Sequence, residues 1–462
     1  MRIILFYGCL LYSAVSLSAM ASKPEAGAGG PIQKPNIIFI FADDWGYGDL
    51  SLRGHPEFET PHVDQLAAQG TDFQEFTVSA PVCSPSRAAV MTGQYPARHS
   101  VHGHFARLHQ NANRGMPDWL DPKVTQLPRL LQEAGYVTGL FGKWHLTNVW
   151  AQDAPLPEAY GFDESAVFNG PGPQANPSNS DVDDRALAFI EKYQDQPFFL
   201  NVWLHETHTA HFPKEHYLER FAHLDEAEQV YAAILAEGDD RVGRILAALD
   251  EHGLTENTLV IFSSDNGPEI TGRNLKKMKD DSYAGALLDG YASGYSVGSS
   301  GGLRERKRSL YEGGIRVPFI VRWPGQTPAG RVNTTAVMNA VDLLPTFCEI
   351  AEVSLPAGYE PDGVSVLPAL RGGDWQRSQP IFWEFRTRRY PQMAIRDGDW
   401  KLLMDFEEER VELYDIPDDP AESKNLAGEH PERVEKLKQQ IRDWKKTLPK
   451  DPPVDTISKY RK

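Results

Sequence analysis

The sequence predicts an α/β protein with a smaller C-terminal α+β subdomain, and three observations carry that expectation. Solid apolar runs end abruptly in acids, histidines or a lysine. Helical patterns separate those runs. A Pro/Gly-rich stretch near residue 355 then gives way to short alternating strands. Strands alternating with helices imply a large, mostly parallel sheet covered by helices on both faces.

The first run, Ile37 to Ala42 in PNIIFIFADDWGYGDL, stops at Asp43-Asp44 and reads as a strand buried on both faces. TLVIFSSDNGPE repeats the arrangement, with Leu259 to Phe262 leading to Asp265-Asn266. YVTGLFGKWHL ends in Lys143 and His145, and PFFLNVWLHETHTAHFP ends in His205, His208 and His211. Between them, TPHVDQLAAQG, TQLPRLLQEAG and EAEQVYAAILAEGDDRVGRILAALDEHG carry helical periodicity. Ligands of such sheets sit beyond the C-terminal strand edges, so these four strand ends are expected to converge on one site. YASGYSVGSSGG reads as a mobile loop. In the C-terminal part, QPIFWEF, QMAIRDGDWKLLMDF and RVELYDI read as an antiparallel sheet with a turn at Asp397-Gly398, followed by the helical PERVEKLKQQIRDWKKTL.

Arg2 precedes an apolar run that ends in Ala19-Met20-Ala21, an A-x-A cleavage pattern, so residues 1–21 read as an export signal. The expected division is then an α/β catalytic domain over 22–354 and an antiparallel-sheet subdomain over 355–462. No later stretch is long and apolar enough to span a bilayer, which predicts an exported protein, periplasmic or secreted. The 462 residues carry a formal charge of −17, so nonspecific attraction to nucleic acid or an anionic membrane is excluded. An anionic substrate must be drawn in by local cations.

Of the three cysteines, Cys9 leaves with the signal, and Cys348 in LLPTFCEIA reads as a buried, inert thiol. Cys83 lies in the Pro/Ser turn PVCSPSRAAVMTG, with no activating base evident in the motif. Asp43, Asp44, Asp265 and Asn266 form an all-oxygen set, which favours Ca²⁺ or Mg²⁺ over zinc. Three carboxylates gathered without a cation would repel strongly.

CSPSRAAVMTG, FADDWGYGDL, GKWHL, SSDNGP and KRSLYEGGIRVPFIVRWPG together resemble the type I sulfatases, in that family's order, from about Pro35 to Gly325. The resemblance implies the alkaline-phosphatase-like sulfatase fold. It also implies that a formylglycine-generating maturation enzyme reads Cys83-Pro85-Arg87 and oxidises Cys83 to Cα-formylglycine. One hydroxyl of the hydrated aldehyde would attack sulfur, and deprotonation of the second would release sulfate. By the same likeness, Asp43, Asp44, Asp265, Asn266 and position 83 would hold one Ca²⁺, with Mg²⁺ the lesser alternative. Arg87 would stabilise the aldehyde hydrate, Lys143 and Lys307 would bind sulfate oxygens, His145 would be the base and His208 the acid. Thr207 and Ala210 replace the prolines that commonly flank that histidine, which leaves His205 and His211 as alternatives.

The implied substrate is a sulfated polysaccharide or oligosaccharide. YSVGSSGGLRERKRSLYEGGIRVPF is similar to bacterial proteins related to N-acetylgalactosamine-6-sulfatases. Arg304, Arg306 and Arg308 beside Lys307, and Arg386, Arg388 and Arg389 in WEFRTRRYP, are expected to meet a polyanion. His102 and His104 are expected near the leaving sugar. Two other readings compete: a phosphatase or phosphonate monoester hydrolase of the same superfamily, and a catalytically inactive carbohydrate-binding relative. The Cys-x-Pro-x-Arg block and a single metal set favour sulfate over phosphate.

Overall fold

The computed structural model of the protein describes residues 34–170, 181–271 and 296–462. The expected export segment lies outside the described residues, as do residues 291–295 of the Gly/Ser-rich loop. Fourteen strands fall in the described part. They begin with β1 (Asn36–Ala42), β2 (Thr71–Phe73), β3 (Phe76–Thr77), β4 (Val137–Lys143) and β5 (Glu164–Phe168). Next come β6 (Phe198–Trp203), β7 (Thr258–Ser264), β8 (Phe319–Arg322), β9 (Arg331–Asn333) and β10 (Met338–Asn339). The last four are β11 (Ile381–Glu384), β12 (Met393–Asp397), β13 (Trp400–Met404) and β14 (Val411–Asp415).

Eight of them make one sheet in the order β5-β4-β6-β1-β7-β8-β2-β9, and β3 pairs with β10 separately. Within the large sheet, only β8 runs against its neighbours. Every residue of β1 and β7 is buried, as their uninterrupted apolar runs require. Successive side chains of β1 point to opposite faces. Ile37, Phe39 and Phe41 join a core with the helices Cys83–Thr92 and Leu343–Ile350. Ile38, Ile40 and Ala42 join another core with the helices Val182–Lys192 and Glu226–Glu251. Cys348 sits in the first of these cores, where burial pushes its thiol up to about 12. Cys83 and Cys348 are both free.

The C-terminal strands form the expected antiparallel sheet, β11-β12-β13-β14, with Gly398 at positive φ in the turn between β12 and β13. Leu437 and Ile441 of the helix Pro431–Lys446 pack on it. A buried ionic network ties this sheet to the large one. Lys401 of β13 lies between Glu312 (2.7 Å) and Glu422 (2.9 Å). Arg316 bonds Glu312 (2.6 Å) and Glu75, and Glu75 also takes Arg396 of β12 (2.6 Å). No helix among the described residues is long and apolar enough to cross a membrane.

Candidate active site

β4, β6, β1 and β7 are consecutive in the sheet and parallel, so their C-terminal ends lie side by side. The β1–β7 register pairs Ala42 with Ser264, which brings Asp43-Asp44 level with Asp265-Asn266. Gly142 permits the close approach of β4 to β6: at its φ of 114°, a Cβ would stand 2.0 Å from the Trp203 carbonyl oxygen. Lys143 and His145 follow at once. Asp44 (φ 65°) and His145 (φ 52°) are both held in the left-handed region, a local strain of about 1 kcal/mol each that the surrounding packing must offset.

The acids are wholly buried and bridged by cations. Arg87, on the helix that begins at Cys83, donates from Nε (3.0 Å) and Nη2 (2.7 Å) to Asp265 and from Nη1 to the Lys143 carbonyl (3.1 Å). Its guanidinium lies over the Trp203 ring at 4.8 Å. Lys143 bonds Asp43, and Lys307 bonds Asp44 at 2.6 Å. Against the penalty of burial, Lys143, His208 and His205 hold Asp43 well below the usual carboxylate range. Burial and the neighbouring Asp43 push Asp265 up to about 7, although Arg87 opposes them. The Asn266 amide donates to Asp44 Oδ1 (2.7 Å).

Two oxygens in this cluster lack any hydrogen-bond partner: Asp43 Oδ1 and Asn266 Oδ1. Asp43, Cys83 and Asp265 each offer an atom within 4.8 Å of the others. Buried oxygens without donors, beside two further carboxylates, match the demands of a hard divalent cation. Cys83 Sγ also lies 3.1 Å from His145 Nδ1, and His145 Nε2 lies 3.0 Å from the Phe105 carbonyl. The fold thus supplies a base beside Cys83 that the linear motif did not reveal. Burial, opposed by Lys143, nonetheless raises the thiol pKa above its ordinary value.

A family model described as Sulfatase matches residues 35–353, and a second, the C-terminal part of N-sulphoglucosamine sulphohydrolase, matches residues 305–447. The chain belongs to the sulfatase family. It is a sulfuric ester hydrolase, and the likeness read from its five motifs holds. N-acetylgalactosamine-6-sulfatase of Canis lupus familiaris is 33% identical to this sulfatase, over 83% of this chain and 74% of that one. N-acetylgalactosamine-6-O-sulfatase of Bacteroides thetaiotaomicron is 27% identical, over 94% of this chain and 98% of that one. Among solved structures, Ps i-CgsB in complex with k-i-k-neocarrahexaose aligns with a TM-score of 0.75 and 26% identity, covering 92% and 96% of the two chains.

Some of the remaining residues singled out by sequence lie at the sulfatase site and others turn away from it. His205 is buried with Nδ1 2.5 Å from Asp43, while His211 is buried beside Tyr231. His208 is the half-buried one, its side chain 20% exposed and its Nε2 3.9 Å from Asp44. His104 has its ring 6.3 Å from that of His145, and His102 lies 3.0 Å from Glu384. The arginines diverge. Arg304 turns away to the C-terminal sheet, where it stacks on Tyr311 (3.8 Å) and bonds Tyr414 and the Glu422 carbonyl (2.8 Å each). Arg308 pairs with Glu269 (2.6 Å), and Arg306 is partly exposed. Arg386 is tied to Glu384 (3.0 Å), and Arg388 and Arg389 are exposed. Sequence reading missed Glu269, 3.7 Å from Lys307, and Arg114, which bonds the His104 carbonyl.

Proposed function

We propose that this enzyme is an exported carbohydrate sulfatase that holds one Ca²⁺ and uses Cys83 as formylglycine. The observation that carries the reading is the pair of buried, donorless oxygens, Asp43 Oδ1 and Asn266 Oδ1, in a cluster that also contains Cys83. Support for a carbohydrate substrate comes from the sulfatases named above, two of which bear the name of N-acetylgalactosamine. Asp43, Asp44, Asp265 and Asn266 would hold the ion with position 83. Between them, the ion and the formylglycine supply a positive charge for sulfate oxygens and a hydroxyl nucleophile.

The chain's own residues then have distinct tasks. Arg87 is permanently charged, and its fork keeps Asp265 in place. Each lysine ammonium has three donors and uses one on its aspartate, so Lys143 and Lys307 retain N–H groups for sulfate oxygens. His145 Nδ1 faces position 83, while its Nε2–H donates to the Phe105 carbonyl, which fixes the tautomer that can accept a proton. His208 is the histidine of its loop with both exposure and proximity to the acids, and it would protonate the leaving oxygen.

The test joins mass and metal. A peptide containing position 83 from natively exported protein should show the mass change from thiol to aldehyde, and Cys83→Ala should abolish sulfate release. Chelation should cut turnover by orders of magnitude, with Ca²⁺ restoring it at least as well as Mg²⁺ and zinc failing. Full activity from the alanine variant or from metal-free protein would overturn the reading.

A further inference from the structure

Among the described residues, Arg114 is a half-buried cation without a counter-ion. Its hydrogen bond runs from Nη1 to the His104 carbonyl at 2.9 Å, and it has no carboxylate partner among the described residues. Burial alone depresses its pKa, and no acid opposes the shift. A guanidinium keeps its charge regardless, so its desolvation is left uncompensated in a protein with 64 acidic residues. Such a group has donors and charge to offer an anionic ligand.

Its surroundings say where that ligand sits. The His104 ring lies 6.3 Å from that of His145 and within the electrostatic reach of Lys143 and Lys307 as well as of Arg114 and Arg308. Arg386 approaches from the C-terminal sheet: its Nη1 is 3.5 Å from where a Cβ on Gly115 would stand. Glu384 anchors Arg386 through Nε (3.0 Å), and the side chain remains 38% exposed. Arg386 thus lies beside the Arg114–Gly115 segment, and Arg114 in turn holds the backbone of His104, whose ring is 6.3 Å from that of His145.

We infer that Arg114 and Arg386 form a subsite for a second anionic group, a carboxylate or a second sulfate, on the carbohydrate that carries the scissile ester. The inference rests on the carbohydrate reading above. Arginine forks match both anions bidentately, and the pair makes the enzyme selective for doubly charged substrate.

Three substrates test it with the matured enzyme: a monosulfated hexosamine, the same sugar disulfated, and a disaccharide joining the monosulfated sugar to a uronate. The wild type should favour at least one doubly anionic substrate over the monosulfate by about ten-fold or more in kcat/KM. The preferred substrate identifies the anion as sulfate or carboxylate. Arg114→Gln and, separately, Arg386→Gln should collapse that ratio, and Arg114→Lys should retain part of it. Arg386 is solvent-facing, so its variant preserves the test should Arg114→Gln lose its fold. An unchanged ratio in both variants, or no wild-type preference, overturns the inference and leaves the carbohydrate reading standing. Cleavage of an aryl sulfate with no cleavage of any sugar overturns both.

Discussion

Replacing Arg304 with alanine deletes a guanidinium whose contacts all lie on the structural side of the Lys307 loop. The stack on Tyr311 at 3.8 Å contributes about 1 kcal/mol at this exposure. Hydrogen bonds from a charged donor contribute about 1.5–3 kcal/mol each when buried, and there are two at 2.8 Å. The side chain is 34% exposed, so solvent screening brings each nearer to about 1 kcal/mol. Glu412 retains Tyr311, Tyr414 and Arg410 as partners, so no buried carboxylate is orphaned. The expected loss is therefore about 2–3 kcal/mol of stability. Urea unfolding measures it, alongside kinetics on an aryl sulfate and a sulfated oligosaccharide. KM should move little on either substrate, and kcat should fall together on both as the Lys307 loop loosens. A stable variant with a ten-fold higher KM for the oligosaccharide alone would refute this reasoning and return Arg304 to the substrate.

Two further outcomes follow from buried charge. Arg87→Met leaves Asp265 without its principal partner in a fully buried site and should cost about 3–5 kcal/mol in metal-free protein. The double variant Arg87→Met/Asp265→Asn should recover most of that loss, and strict additivity in urea unfolding would deny the pairing. Glu422 is pushed up to about 7, mainly by burial and by Glu312, against the pull of Lys401. An acid with its folded pKa above the unfolded value holds its proton only in the folded state. Stability should therefore fall as pH rises from about 4.5 to about 7, by at most about 3 kcal/mol, and level off above. Glu422→Gln should flatten that slope, and an unaltered slope would assign it elsewhere.

Much of the architecture was legible because fully buried parallel strands must be apolar throughout, and their ends are marked where polarity resumes. Asp43, Lys143, His205 and Asp265 each stand at such a boundary. The antiparallel C-terminal sheet was legible from its alternation and from the Asp397-Gly398 turn. Strands of two or three residues, such as β3 and β10, carry no period and were invisible. Side-chain direction was the other gap. Arg304 and Lys307 lie three residues apart, yet one meets Tyr414 and the other Asp44, because partners far along the chain decide the matter. His145 was named as the base from the family likeness, but its contact with Cys83 is no property of the linear motif, since it arrives from a strand end 62 positions away. Arg114 gave no signal at all, since an arginine without a motif reads as a surface residue until its missing counter-ion is seen.

All ten residues of the helix Cys83–Thr92 are buried, so the side chain at position 83 is sealed from any second protein once the chain has folded. The core that this helix joins includes β7 and the helix Leu343–Ile350, which are made long after the cysteine during synthesis. On the maturation reading proposed above, a macromolecule that handles Cys83 would have a window that closes when the later half of the chain docks. Folding speed and that maturation would then be competitors, and a faster-folding variant would emerge with a larger share of untouched thiol.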